Sequence, residues 1–113
     1  MKSPLIKQVK TSFDDRGEIS HCNEFSFKTN KIRRFYIIQN NRINFVRAWH
    51  GHKKEEKFIQ ILNGSIKISV VKIDNWKKPS KKLKQIVYVL NYKNPCILHI
   101  PGGYAHGIQT LRK

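Results

Sequence analysis

The 113-residue sequence has no long apolar run, few cysteines and few acidic residues. No stretch approaches the roughly 20 consecutive apolar residues that cross a bilayer, and residues 1–7 lack the apolar block of a secretory signal. The two cysteines, Cys22 and Cys96, belong to no C-x-x-C pair, so neither a zinc ribbon nor a disulfide framework is indicated. We therefore expect a soluble cytoplasmic protein without a membrane partner, in which both cysteines are structural.

Acidic residues are scarce relative to basic ones, with 7 Asp and Glu against 23 Lys and Arg, and the formal net charge is +16. Such an excess favours an anionic partner. The densest lysine cluster, residues 77–84, is predicted to be a solvated loop between strands, so we expect no nucleic-acid partner. A phosphorylated small molecule could use a few of the charges.

Helical periodicity is also missing, because no window of eleven or more residues holds apolar positions at helical spacing. Short alternating or β-branched runs predict strands instead, and Gly- and Asn-containing turns separate them. These runs cover residues 32–38, 58–62, 65–73, 85–90 and 96–100. The pattern predicts one all-β domain over residues 1–113, a sandwich, jelly roll or barrel, with residues 1–12 as a possible N-terminal arm or swapped strand.

The candidate chemistry is concentrated in two stretches, residues 45–58 and 100–107. If residues 47–52 are extended, side chains alternate, so that Arg47, Trp49 and Gly51 share one face while Ala48, His50 and His52 share the other. Glu56 follows His52 by four residues, and Pro-x-Gly-x-x-His ends at His106. Three histidines and one glutamate are also a plausible set of ligands for divalent iron, manganese or nickel.

Both stretches resemble the motifs of the cupin superfamily, His-x-His-x3-Glu and Pro-x-Gly-x-x-His. The resemblance implies a double-stranded β-helix, the cupin jelly roll. One position departs from it, since Asn44 stands where a glycine is usual six residues before the first histidine.

A closer resemblance extends from about residue 13 to residue 111. Residues 13–19 (FDDRGEI), 47–50 (RAWH) and 99–107 (HIPGGYAHG) are similar to motifs of the dTDP-4-dehydrorhamnose 3,5-epimerases. His52 departs from that family and resembles the related sugar 3,4-ketoisomerases, as does the Arg-x-Tyr of residues 34–36. The resemblance implies a homodimeric isomerase or epimerase of deoxysugar or surface-polysaccharide biosynthesis. It would act on a dTDP-linked 4-keto-6-deoxyhexose and need no metal or other cofactor.

The resemblance also implies roles for individual residues. His50 is the expected base, alone or with His52, because an imidazole with a pKa near 6.5 can remove a proton next to a ketone. Lys57 and Tyr36 are the other expected catalytic residues, and the substrate is expected to contact Arg16, Arg47 and His106. The expected alternatives are a non-catalytic cupin that binds a nucleotide sugar, and a metal cupin that uses His50, His52, Glu56 and His106.

The general acid is not assigned by the resemblance. Both families continue beyond the position of Lys113, where the epimerases supply a tyrosine acid and a carboxylate. In this sequence we expect the general acid to be Tyr36, Tyr88 or Tyr104, or to come from a partner subunit.

Overall fold

The computed structural model describes residues 3–113, which contain nine β-strands and no helix. Three strands precede a long connection: β1 (Leu5–Gln8), β2 (Lys10–Asp14) and β3 (Gly17–His21). The other six are β4 (Val46–His52), β5 (Lys57–Ile59), β6 (Ser65–Lys72), β7 (Gln85–Asn91), β8 (Cys96–Ile100) and β9 (Tyr104–Arg112). The predicted all-β class is confirmed.

Two antiparallel sheets form the body of the fold, one with the order β4-β9-β6-β7 and one with the order β1-β8-β5. Their inward side chains meet in one core, in which Ile68 and Val70 of β6 and Leu98 of β8 are fully buried. In β6 the inward residues Ile66, Ile68 and Val70 alternate with outward ones, which is the pattern of a sheet with one face on the core, whereas all five residues of β8 are buried.

The turn before β6 depends on a glycine. Gly64 has a φ of +73°, and a Cβ at this position would collide with the carbonyl oxygen of Arg112 at the end of β9. Its own carbonyl accepts a hydrogen bond from the Tyr92 amide at 3.0 Å. A side chain is therefore excluded both by the backbone conformation and by the close approach of β9.

The connection between β3 and β4 differs from the prediction. Residues 32–38 form no strand, and their apolar side chains are largely exposed, Phe35 at 85% and Ile37 at 73%. The prediction of a strand was wrong because the β-branched and aromatic pattern does not supply a pairing partner. The predicted strand at 58–62 is displaced to Lys57–Ile59, since only these residues pair with β8.

The N-terminal segment is paired within the chain. Strand β1 pairs with β8 of the same chain, whereas β2 and β3 pair only with each other in a separate two-stranded sheet. Phe13 and Ile19 on this hairpin are 75% and 67% exposed. Residues 1–2 of the expected arm lie outside the described residues.

Within residues 3–113 there is no helix long and apolar enough to cross a membrane.

Candidate active site

A β-bulge in β4 determines which side chains face the interior. Arg47 lies opposite Ile108 and His50 lies opposite His106, so three steps along β4 match two steps along β9. The extra residue puts Arg47 on the same face as His50. The prediction that Arg47 shares a face with Trp49 and Gly51 was therefore wrong. Ala48 and Trp49 both lie over Gly107 on the outer face, where the missing side chain of the glycine leaves room for them.

Three histidines lie together at this end of the interior. The ring centroids of His50 and His106 are 5.9 Å apart, and His52 is one rung further along β4, opposite Tyr104. His106 is buried, whereas His50 is exposed and can reach a bound molecule. The Nδ1 atom of His52 is 3.4 Å from a carboxylate oxygen of Glu55.

The pKa of His106 is lowered from 6.5 to about 4, mainly by burial and then by electrostatic interaction with Lys57, His50 and His52. A hydrogen bond to the backbone of His50 opposes this shift. His106 is therefore a neutral imidazole at physiological pH, able to donate one hydrogen bond and accept another.

Lys57 comes to the same site from the opposite sheet. It pairs with Ile100 of β8 and so points inward, where its positive charge helps to lower the pKa of His106. Its Nζ atom donates a hydrogen bond to the hydroxyl of Tyr36 at 2.9 Å. Tyr36 belongs to the unpaired connection, so this contact joins that segment to the site.

Glu56 does not join the histidines of the predicted metal set. Its Oε1 atom is 2.8 Å from Nε2 of His99, on the outer face of the β1-β8-β5 sheet. The His99 ring stacks on Phe58 with 4.4 Å between centroids, and Phe25 covers Phe58 edge-on. Among residues 3–113 there is no group of three or more His, Cys, Asp or Glu arranged to hold a metal ion.

The two arginines expected to bind substrate lie in different parts of the fold. Arg47 faces the interior, and its Nε atom donates to the side-chain oxygen of Asn40 at 2.8 Å. Arg16 lies in the turn of the β2–β3 hairpin, where it pairs with Asp14 at 2.6 Å, and this hydrogen bonding lowers the pKa of Asp14. The hairpin does not pair with the sheet that carries the histidines.

Two contributors to the site were missed by the sequence analysis. Asn40 connects Arg47 to the hydroxyl of the buried Thr110, and the ring of Trp76 packs against Gly51 on the face of β4 opposite to His50 and His52. Asn40 lies seven residues before Arg47 and 70 before Thr110, a separation that no motif spacing reveals. The bare backbone of Gly51 beside two histidines was the available signal for a packed ring.

The arrangement suits removal of a proton next to a carbonyl. An exposed imidazole can act as the base, and a cation from the facing sheet, hydrogen-bonded to a hydroxyl group, can stabilise the negative oxygen that forms. A buried neutral imidazole beside them can donate a hydrogen bond without itself gaining charge.

The chain was also compared with known protein families and structures. The family model described as WxcM-like, C-terminal (FdtA) matches residues 2–105. The structure of dTDP-4-dehydrorhamnose 3,5-epimerase from Sulfolobus tokodaii is similar with a TM-score of 0.68 and 30% identity, over 96% of this chain and 64% of that one. No curated protein sequence matches.

Two further structures share the fold. A dTDP sugar isomerase from Desulfovibrio desulfuricans G20 has a TM-score of 0.64 and 16% identity, over 95% of this chain and 68% of that one. An epimerase from Legionella pneumophila in complex with dTDP-4-keto-L-rhamnose has a TM-score of 0.59 and 20% identity, over 96% and 61%. The predicted cupin jelly roll is confirmed, and the chain spans about two thirds of the length of these proteins.

Proposed function

Because the chain belongs to the WxcM-like, C-terminal family, we propose that it isomerises or epimerises a dTDP-linked 4-keto-6-deoxyhexose. The reaction begins with removal of the proton on the carbon next to the C4 ketone, without a metal ion. Such an enzyme would serve deoxysugar or surface-polysaccharide biosynthesis in the cytoplasm.

The observation that carries the proposal is the convergence of His50, His106 and Lys57 from two facing sheets on one end of the interior. If the ketone oxygen lies near the Lys57 ammonium, this cation stabilises the negative charge that develops on the oxygen in the enolate. The barrier to proton removal is thereby lowered. His50, exposed at the opening, is then the base.

Lys57 and Tyr36 are proposed to act as a pair. The Lys57 ammonium donates a hydrogen bond to the phenol oxygen of Tyr36. When the phenol gives up its proton, the adjacent cation stabilises the phenolate that remains. Tyr36 is therefore our candidate for the general acid that returns a proton to the sugar. His52 is proposed to be a second proton carrier. It should be required for 3,4-ketoisomerisation but not for 3,5-epimerisation, so its replacement distinguishes the two reactions.

The experiment is incubation with dTDP-4-keto-6-deoxyglucose and identification of the product by proton spectroscopy. In a 3,4-ketoisomerase, His52→Ala should block product while solvent exchange at C3 continues. In an epimerase, the same variant should form product almost normally. Tyr36→Phe should lower turnover more than substrate affinity. A substrate that binds but returns unchanged from the unmodified protein would indicate the non-catalytic binding function instead.

The β2–β3 hairpin supports a homodimer. A two-stranded hairpin is marginally stable alone, and this one exposes Phe13 and Ile19. We propose that a second copy covers these side chains and that the pairing brings Arg16 to the nucleotide part of the substrate.

Light scattering tests the dimer, with an expected mass of twice the 13.4 kDa of the chain. Replacing both Phe13 and Ile19 by serine should shift the protein toward the monomer, whereas Arg16→Ala should remain dimeric and lose nucleotide affinity. A monomer at micromolar concentration would contradict this proposal.

A further inference from the structure

Residues 40–47, here called the arginine loop, comprise the end of the connection between β3 and β4 and the first two residues of β4, and they include a second arginine, Arg42, besides Arg47. The guanidinium carbons of Arg42 and Arg47 lie 5.5 Å and 5.4 Å from the centroid of the Phe45 ring. Both cations therefore interact with one aromatic ring, and their guanidinium carbons are at most about 11 Å apart.

Hydrogen bonds hold the arginine loop on the end of β9. The Asn40 amide nitrogen donates to the hydroxyl of Thr110 at 2.7 Å, while its oxygen accepts from Nε of Arg47 at 2.8 Å. The backbone amide of Asn44 donates to the Thr110 carbonyl at 2.7 Å, and the Thr110 amide donates to the Phe45 carbonyl at 3.0 Å. Thr110 is 5% exposed, so the anchor is in the core. The position of Arg47 is consequently fixed before any ligand binds.

The charges of this loop are uncompensated within the described part of the chain. No ion pair among residues 3–113 includes Arg42 or Arg47, and the ion pairs of Asp14, Glu55 and Glu56 are with Arg16, His52 and His99. The two like charges near one ring repel each other, and an anion that binds to both reduces that repulsion. Guanidinium groups donate in forks that match phosphate oxygens.

The location suits the phosphate part of a nucleotide sugar. Arg47 faces the same interior as His50, and because the bulge fits three steps of β4 to two steps of β9, the two positions are about 7 Å apart along the sheet. A sugar over His50 would then direct its diphosphate toward the arginine loop.

We propose that Arg42 supplies a second guanidinium for the diphosphate, in addition to Arg47, and that Asn40 is a positioning residue that holds Arg47 for it. The inference rests on the proposed function, since a nucleotide sugar supplies the diphosphate. It adds Arg42 and Asn40 to the residues that select a diphosphate over a monophosphate.

Calorimetry with thymidine diphosphate and thymidine monophosphate tests this on the full chain. Arg42→Gln should weaken diphosphate binding about tenfold or more, as expected for a lost charge-assisted hydrogen bond, and monophosphate binding less. Lys82→Gln removes one positive charge from the lysine-rich loop of residues 77–84 and should bind both nucleotides normally. An Arg42→Gln protein that binds like the unmodified one, or a Lys82→Gln protein that is weakened equally, would overturn the role of Arg42.

Asn40→Ala tests the positioning role through Arg47. It should weaken diphosphate binding in the unmodified background and have no further effect in an Arg47→Gln background, because its action passes through that guanidinium. Equal losses in both backgrounds would contradict it. If nucleotide binding follows these expectations but no sugar proton exchanges with solvent, the proposed function fails while the diphosphate site stands.

Discussion

His106 should make the stability of the protein depend on pH in a specific direction. The imidazole is buried near Lys57, His50 and His52, and burial followed by these charges lowers its pKa from 6.5 to about 4. The unfolded chain keeps the ordinary value. Between these two values the unfolded state binds a proton at this position and the folded state does not, so stability falls as the pH falls from 6.5 toward 4.

The size of the effect follows from the shift. Each unit of pKa difference is worth about 1.36 kcal/mol, so the free energy of unfolding should drop by about 2 to 3 kcal/mol between pH 7.5 and pH 4.5 because of this one group. Most of the drop should remain at high salt, since desolvation is the largest cause and salt screens only the contribution of the neighbouring charges.

Urea denaturation of the unmodified protein and of His106→Gln, at equal protein concentration and at both pH values, measures this. Glutamine does not titrate, so the variant should lose about 2 to 3 kcal/mol less than the unmodified protein over this range. Equal losses would refute the argument. If the variant does not fold, a proton-spectroscopic titration of the unmodified protein gives the same answer, since a His106 ring that titrates near pH 6.5 would contradict it.

Three further outcomes are expected. Leu98→Ala, at a fully buried position, should lower the free energy of unfolding by about 2 to 5 kcal/mol. Val89→Ala, at a 63% exposed position, should lower it little, and similar losses in denaturation curves would contradict the assigned core. Gly64→Ala should lower the melting temperature more than Gly103→Ala, because both have positive φ but only Gly64 faces the Arg112 carbonyl; an equal loss would contradict that packing. Elemental analysis of protein purified without chelator should find no stoichiometric transition metal, and a bound metal that is lost in His106→Ala would overturn the metal-free mechanism.

The strands that form the core could be predicted from the sequence because their periodicity and turns agree with their burial. Strand β6 alternates along Ser65–Lys72, and Gly64 supplies the turn conformation before it. The pairing of His50 on β4 with His106 on β9 also agrees with the motif spacing, which predicts that the two histidines lie close together. In these segments local pattern and long-range pairing require the same residues.

The remaining features depend on contacts that a local pattern does not contain. Residues 32–38 have the composition of a strand but lack a pairing partner. The bulge between Arg47 and His50 changes the face of Arg47 through the register with β9. Glu56 lies at the expected spacing yet bonds to His99, 43 residues away, because the edge of the other sheet carries it to the outer face.

The most direct test of the proposed function is solvent-deuterium incorporation into dTDP-4-keto-6-deoxyglucose, followed by proton spectroscopy in heavy water. The unmodified protein should exchange the proton at C3. His50→Ala should bind the nucleotide sugar almost normally and exchange about 10² to 10⁴ times more slowly, the usual loss for a general base. Undiminished exchange in His50→Ala would contradict its assignment as the base, and no exchange in the unmodified protein would contradict the proposed reaction itself.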